Sequence, residues 1–331
     1  MNFKKCLITG AFLMASASAW PAPPAHLQDI PRYQIPEADR GLQKVDAEKW
    51  LQVTDAATVL EGPSFDHAGN LLLTDVFRGQ IIKIDPQRRQ LVLFEDANLT
   101  PSATAVAPDG RIYVAAGHKD GSGGEIFSID EQGQNRRVIL PADKNYQPND
   151  IVLGKQGEIY FTDARGNSGD LSGGVYCISP GTKTISPVLT HLSGANGLAL
   201  SPDGGTLWVV EFSAGVLHRL VMKNASEIEP FGETVAYRFN SPAPDSMKAD
   251  DKGNLYIALH GQGRVIVLNG NAIPIGQITI PGRDKGEFLR TANLAIKPDT
   301  HELYILSSSD AEHPSGAAVF RSWSLGKGLK G

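Results

Sequence analysis

The chain has 331 residues, 41% of them apolar and 20% charged, with 35 glycines, 21 prolines and a formal net charge of −5. A net-acidic surface gives nucleic acid no reason to bind, so none is expected as a partner. Beyond the first residues no long apolar stretch marks a membrane anchor, and the glycine and proline content with few charged helical runs favours a turn-rich β protein.

In chain order, Lys4 and Lys5 precede an apolar run from Leu7 to Met14, and Ala17-Ser18-Ala19 follows. A positive start, a short apolar run and a small-residue site form the three-part pattern of a secretory signal peptide, too short to span a bilayer. Residues 1–19 are therefore expected to be removed near Ala19, which sends the protein to a periplasm or the exterior. Cys6 leaves with that segment, so only Cys177 remains, in "GGVYCISP". A single cysteine cannot staple the fold; it reads as a small buried hydrophobe, with a reactive nucleophile as the sharper alternative. Residues 20–55 form an extension, proline-rich and then "LQKVDAEKWLQV". It is expected either to cross the surface of the following domain or to help close it.

From residue 56 to 331 one unit recurs. "FDHAGNLLLTD", "VAPDGRIYVAA", "LGKQGEIYFTD", "LSPDGGTLWVVE", "ADDKGNLYIAL" and "IKPDTHELYIL" each read as a strand, an Asp/Gly turn and a second strand rich in β-branched and aromatic residues. A third strand follows each pair: "GQIIKID", "GGEIFSID", "GGVYCIS", "GVLHRLV", "GRVIVLN" and "AAVFRSW". The turn glycines are Gly69, Gly110, Gly157, Gly204 and Gly253, with Thr300 in the sixth place. Spacings of roughly forty to fifty residues match the blades of a propeller, so six copies predict an all-β, six-bladed β-propeller.

The unit also explains an oddity in "GANGLALSPDGG", where Asn196 heads an apolar strand. Asn196 lies eight residues before its turn glycine, and the same offset gives Glu61, Asn149 and Asp245 in three other blades, with Ser102 and Ala292 in the remaining two. Equivalent positions in a propeller lie on a circle about its axis, so these side chains should converge at one end of the channel. Any one of them alone could be a turn residue bonded to nearby backbone. Local turn chemistry gives no reason for acids and amides to share one register. Two carboxylates and two amide oxygens, without histidine or thiolate, select a hard divalent cation: Ca²⁺ first, with Mg²⁺ or Mn²⁺ as alternatives.

These same segments resemble the gluconolactonase, senescence-marker and luciferin-regenerating family of six-bladed propellers, whose ligand segments read E-G-P, N-D, A-N-G and P-D-G. Here they are Glu61-Gly62-Pro63, Asn149-Asp150, Ala195-Asn196-Gly197 and Pro244-Asp245-Ser246, and the similarity runs from about residue 45 onward. The resemblance implies a metal-dependent hydrolase that opens a lactone ring. It implies that Glu61, Asn149, Asn196 and Asp245 ligate a catalytic calcium, with Ser246 as an added contact and Asp245 as the proton-transfer residue. It also implies a second, structural calcium near "KDGSGGEIF", where Ser122 and Gly124 are kept but the partner loop "LPADKNYQ" fits poorly. Sugar-lactone members carry an arginine in R-x-N-D where this chain has Gln147, and Ser246 replaces the glycine of P-D-G; both point to less polar lactones. A different class stays open, a binding propeller that uses calcium only for rigidity. Asp75, Asp163 and Glu211 at second-strand ends could line the channel or cap turns, and His118, His191, His218 and His260 are weaker candidates for a base. Arg165 and Arg290 could orient an acidic substrate or sit in ion pairs.

Overall fold

The computed structural model describes residues 34–241, 243–310 and 315–329. The signal peptide read at residues 1–19 lies outside these residues. Six antiparallel sheets follow one another along the chain. Blade one runs from Leu60–Phe65 through Leu71–Asp75 and Gln80–Ile84 to Gln90–Glu95, and blades two to four repeat this four-strand meander. All six hairpins and all six third strands expected from the repeat are present. The five turn glycines take φ between 78° and 89°, which L side chains adopt only with strain. In the sixth turn Asp299, the residue before Thr300, carries the positive φ instead, at 60°.

Each first strand pairs only with its second strand and packs edge-on against the first strands of both neighbouring blades. The first strand of blade six, Arg290–Ile296, packs against Leu60–Phe65, which closes the ring. Six apolar clusters fill the six seams, one for each pair of adjacent blades. The seam between blades three and four gathers Tyr160, Val175, Cys177, Leu198, Leu207 and Val209. Burial pushes the Cys177 thiol up to about 11, so it packs as a small apolar side chain.

Ring closure uses the N-terminal extension. Glu48–Thr54 pairs antiparallel with Ala317–Trp323 and becomes the outer strand of blade six. Lys44–Asp46 adds a parallel fifth strand to blade five, beside Pro274–Thr279. Just upstream, Asp39 is buried and its carboxylate receives Arg264 Nη2 at 2.6 Å and Asn240 Nδ2 at 2.9 Å.

Candidate metal centre

The first strand of every blade is irregular at the same place. Its ladder to the second strand slips between Glu61 and Ser64, Pro101 and Ala103, Pro148 and Ile151, Ala195 and Leu198, Pro244 and Met247, and Thr291 and Asn293. A β-bulge turns a side chain out of strict alternation, and each of these bulges falls at or next to the residue eight before the turn. Backbone geometry thus gives that register the special position that counting assigned to it.

Glu61, Asn196 and Asp245 are buried. The Asn196 side chain and the Ser246 N–H favour the charged form of the Asp245 carboxylate, and the Glu61 charge opposes it. Burial raises the Asp245 carboxyl well above the usual carboxylate range, and the nearby Glu61 charge pushes it further. Burial raises Glu61 as well, against a hydrogen bond from Asn293. Asn149 is half-buried on the first strand of blade three; its backbone carbonyl accepts from Ser102 Oγ at 2.7 Å, while its side-chain amide makes no hydrogen bond among the described residues. Gly197 lies where blades four and five nearly touch: a Cβ there would come 2.5 Å from the Asp245 carbonyl oxygen.

Several features fit a cation. Asn196 Oδ1 is buried without any hydrogen-bond partner, an arrangement that costs about 1–3 kcal/mol unless something compensates. Both donors to Glu61, Asn293 Nδ2 at 3.0 Å and Gly62 N at 3.3 Å, go to Oε2 and leave Oε1 unbonded. The Glu61 charge raises the proton affinity of Asp245, and the Asp150 charge raises that of both, a crowding of buried carboxylates that calls for positive charge. The donor set is oxygen throughout. Among the described residues no group of three or more His, Cys, Asp or Glu is arranged to hold a metal, and the candidate donors here include amide oxygens beside the carboxylates.

Asp150, Lys248 and Asn293 lie outside the eight-residue offset. Asp150 is fully buried one residue after Asn149, accepts from Ile151 N at 2.9 Å and Leu198 N at 3.0 Å, and faces Lys248 Nζ at 3.9 Å. The signal was one place along: seven residues before the turn, blades three and six carry Asp150 and Asn293. The acids at second-strand ends are anchors. Asp75 holds Thr58 and Arg78, Asp163 holds Gln147 N and a two-pronged Arg165, and Glu211 accepts Ser193 N at 2.6 Å and meets His218 Nε2 at 2.7 Å. Arg165 is thereby committed to an ion pair. His118 meets Ser122 Oγ at 3.2 Å in a loop where Ser122 N also bonds Asp120, and no ligand cluster assembles there among the described residues. His260 packs on Phe212 with ring centroids 5.8 Å apart.

Beside Asn196 opens a cavity of about 210 Å³, walled by Ala164, Gly166, Gly194, Phe212 and Ser213. Glu211 and its neighbours hold this wall: Phe212 N donates to Gly194 O at 2.9 Å.

Comparison with known proteins agrees with this architecture. The chain is 40% identical over 291 residues to the lactonase drp35 of Staphylococcus aureus (strain MW2), covering 87% of this chain and 90% of that protein. Among solved structures, a luciferin-regenerating enzyme superposes with a TM-score of 0.70 at 22% identity, covering 86% of this chain and 97% of that one. The calcium-binding protein regucalcin from Agrobacterium tumefaciens gives 0.69 at 17% identity, covering 87% and 98%. At such identities these two structures speak for the fold alone. The model of the SMP-30/Gluconolactonase/LRE-like region matches residues 59–309, all but the closing strands of the propeller, and the chain belongs to that family.

Proposed function

We propose that the protein is a calcium-dependent lactonase, and the observation that carries this reading is the burial of Glu61, Asn196 and Asp245 at one register, with Asn196 Oδ1 left without a partner. The 40% identity to a lactonase supports the reaction class. A hard divalent cation held by Glu61, Asn149, Asn196 and Asp245, with Ser246 beside them, would polarise a lactone carbonyl and acidify water. The remaining chemistry belongs to the chain. Asp245 takes the proton from the attacking water and returns it to the alkoxide that leaves as the ring opens. Asn196 and the Ser246 N–H favour its ionised form, the form that accepts the proton. The wall of Ala164, Gly166, Gly194 and Phe212 would offer an apolar surface to the substrate's body.

A small cavity with alanine, glycine and phenylalanine along its wall suits a compact lactone of low polarity rather than a polyol, in keeping with Gln147 and Ser246 at the two positions where sugar-lactone enzymes differ. The N-terminal pattern Lys4-Lys5, Leu7–Met14 and Ala17-Ser18-Ala19 supports export. The test is a matrix of Ca²⁺, Mg²⁺ and Mn²⁺ against apolar γ- and δ-lactones and an aldonolactone, run on protein lacking residues 1–19. Calcium-dependent opening of the apolar lactones, lost by a factor of 10³ or more in Asp245→Asn with melting retained, is expected for a base and ligand in one group. Calcium binding with no hydrolysis across the panel would instead identify a binding propeller.

A further inference from the structure

Blade six brings no oxygen to the ring register, where it has Ala292. Its next residue, Asn293, is fully buried. Asn293 Oδ1 accepts from Leu294 N at 2.8 Å, so the amide's orientation is set by its own backbone and Nδ2 must face outward from that bond. Nδ2 donates to Glu61 Oε2 of blade one at 3.0 Å. In blade three, opposite in the ring, Asp150 is built alike: Oδ1 accepts from Ile151 N, the next residue, and Oδ2 reaches Leu198 N in blade four, two residues beyond Asn196. In both places a side chain folds back on its own backbone and grips the following blade beside a candidate ligand.

We infer that Asn293 is a positioning residue of the cation site, holding Glu61 Oε2 away from the channel axis so that Glu61 offers a single oxygen, Oε1, to the ion. This rests on the cation reading above. Oε2 already takes two donors, from Asn293 and from Gly62 N, while Oε1 takes none. A carboxylate without that grip can rotate and present both oxygens, a mode that calcium accepts readily. Blade six therefore acts on the ion through its neighbour's ligand. Partners of this kind orient metal ligands, and losing one typically lowers metal affinity ten- to a hundredfold.

The test compares purified wild type with Asn293→Ala, and with Asn293→Leu, which keeps the side chain's volume should the smaller variant not fold. Calorimetry with calcium alone gives affinity, and melting of the calcium-free protein reports the fold. Calcium-minus-apo infrared difference spectra give the splitting of the carboxylate stretches, with Glu61→Gln identifying the Glu61 bands. The expected result is a wide, one-oxygen splitting for Glu61 in wild type that narrows in the variants, together with a tenfold or greater loss of calcium affinity. Unchanged affinity and bands in a folded variant, or a narrow splitting already in wild type, would overturn the inference. A wild type that binds no calcium would overturn the cation reading and this inference with it, a failure visible before any variant is made.

Discussion

His260 shows how a single side chain can carry a stability signature. Burial, aided by the positive charge of Arg290, lowers its imidazole to about 4, against an ordinary value near 6.5. A histidine whose folded value is depressed stays neutral in the native state while the unfolded chain takes up a proton. Stability is therefore fully present above about pH 6.5 and is lost as pH falls towards 4, by up to about 3 kcal/mol at this residue. Urea melts of wild type and His260→Gln at pH 7.5 and 4.5 should differ by a small amount at the higher pH and converge or cross at the lower one. Parallel pH dependence in the two proteins would show that another group is responsible. Residues with chemistry were legible unequally at this scale. Glu61, Asn149, Asn196 and Asp245 stood out because four blades repeat one offset. Asp150 and Asn293 did not, because only a bulge brings two successive residues into play, and a bulge is a property of paired strands rather than of a residue's own neighbourhood.

Among the elements, the first strands of blades four and five pack backbone to backbone across their seam. At Gly197 a methyl group would lie 2.5 Å from the Asp245 carbonyl oxygen and 2.7 Å from Ser246 Cα, both main-chain atoms that cannot swing aside. Gly197→Ala should destabilise the protein by about 1–3 kcal/mol through overpacking, and it should weaken calcium binding more than a comparable lesion far from the axis. Thermal melts with and without calcium measure both effects. A variant that melts and binds like wild type would mean that the seam between blades four and five is looser than its packing indicates. The loop before Asn196 hangs on Glu211, which is buried and bonded to Ser193 N and His218. Glu211→Ala leaves that N–H and His218 without their partner, and about 2–4 kcal/mol of stability should go with it, read from the shift in urea midpoint. The hairpins were legible because strand, Asp/Gly turn and strand are local. Outer strands such as Gln90–Glu95 and Arg137–Leu140 were not, since their largely exposed faces carry no apolar alternation to find.

On the scale of the molecule, a ring needs a last bond, and here residues 44–54 supply it. Glu48–Thr54 completes blade six and Lys44–Asp46 widens blade five, while Asp39 meets Arg264 in a pair that is almost wholly buried. A chain starting at residue 56 should lose its single cooperative melt, because blade six would keep three strands and expose the edge Ala317–Trp323. Asp39→Ala, which leaves Arg264 charged and without that carboxylate, should cost about 3–5 kcal/mol, whereas replacing both partners by apolar residues should cost far less. Chemical melts of the two variants decide this, and equal losses would count against the charge argument.

Repetition itself was readable without any structure. Six copies of one hairpin, each punctuated by a turn that wants positive φ, state the blade number because every copy encodes its own local geometry. The shared offset of Glu61, Asn149, Asn196 and Asp245 was readable for the same reason. Closure of the ring and the orientation of each candidate ligand came only with the tertiary structure. Glu48–Thr54 finds its partner more than 260 residues away at Ala317–Trp323, and Glu61 is turned by Asn293 from the far end of the chain. Contacts between residues so distant in sequence arise from packing the whole ring, and no local pattern records them.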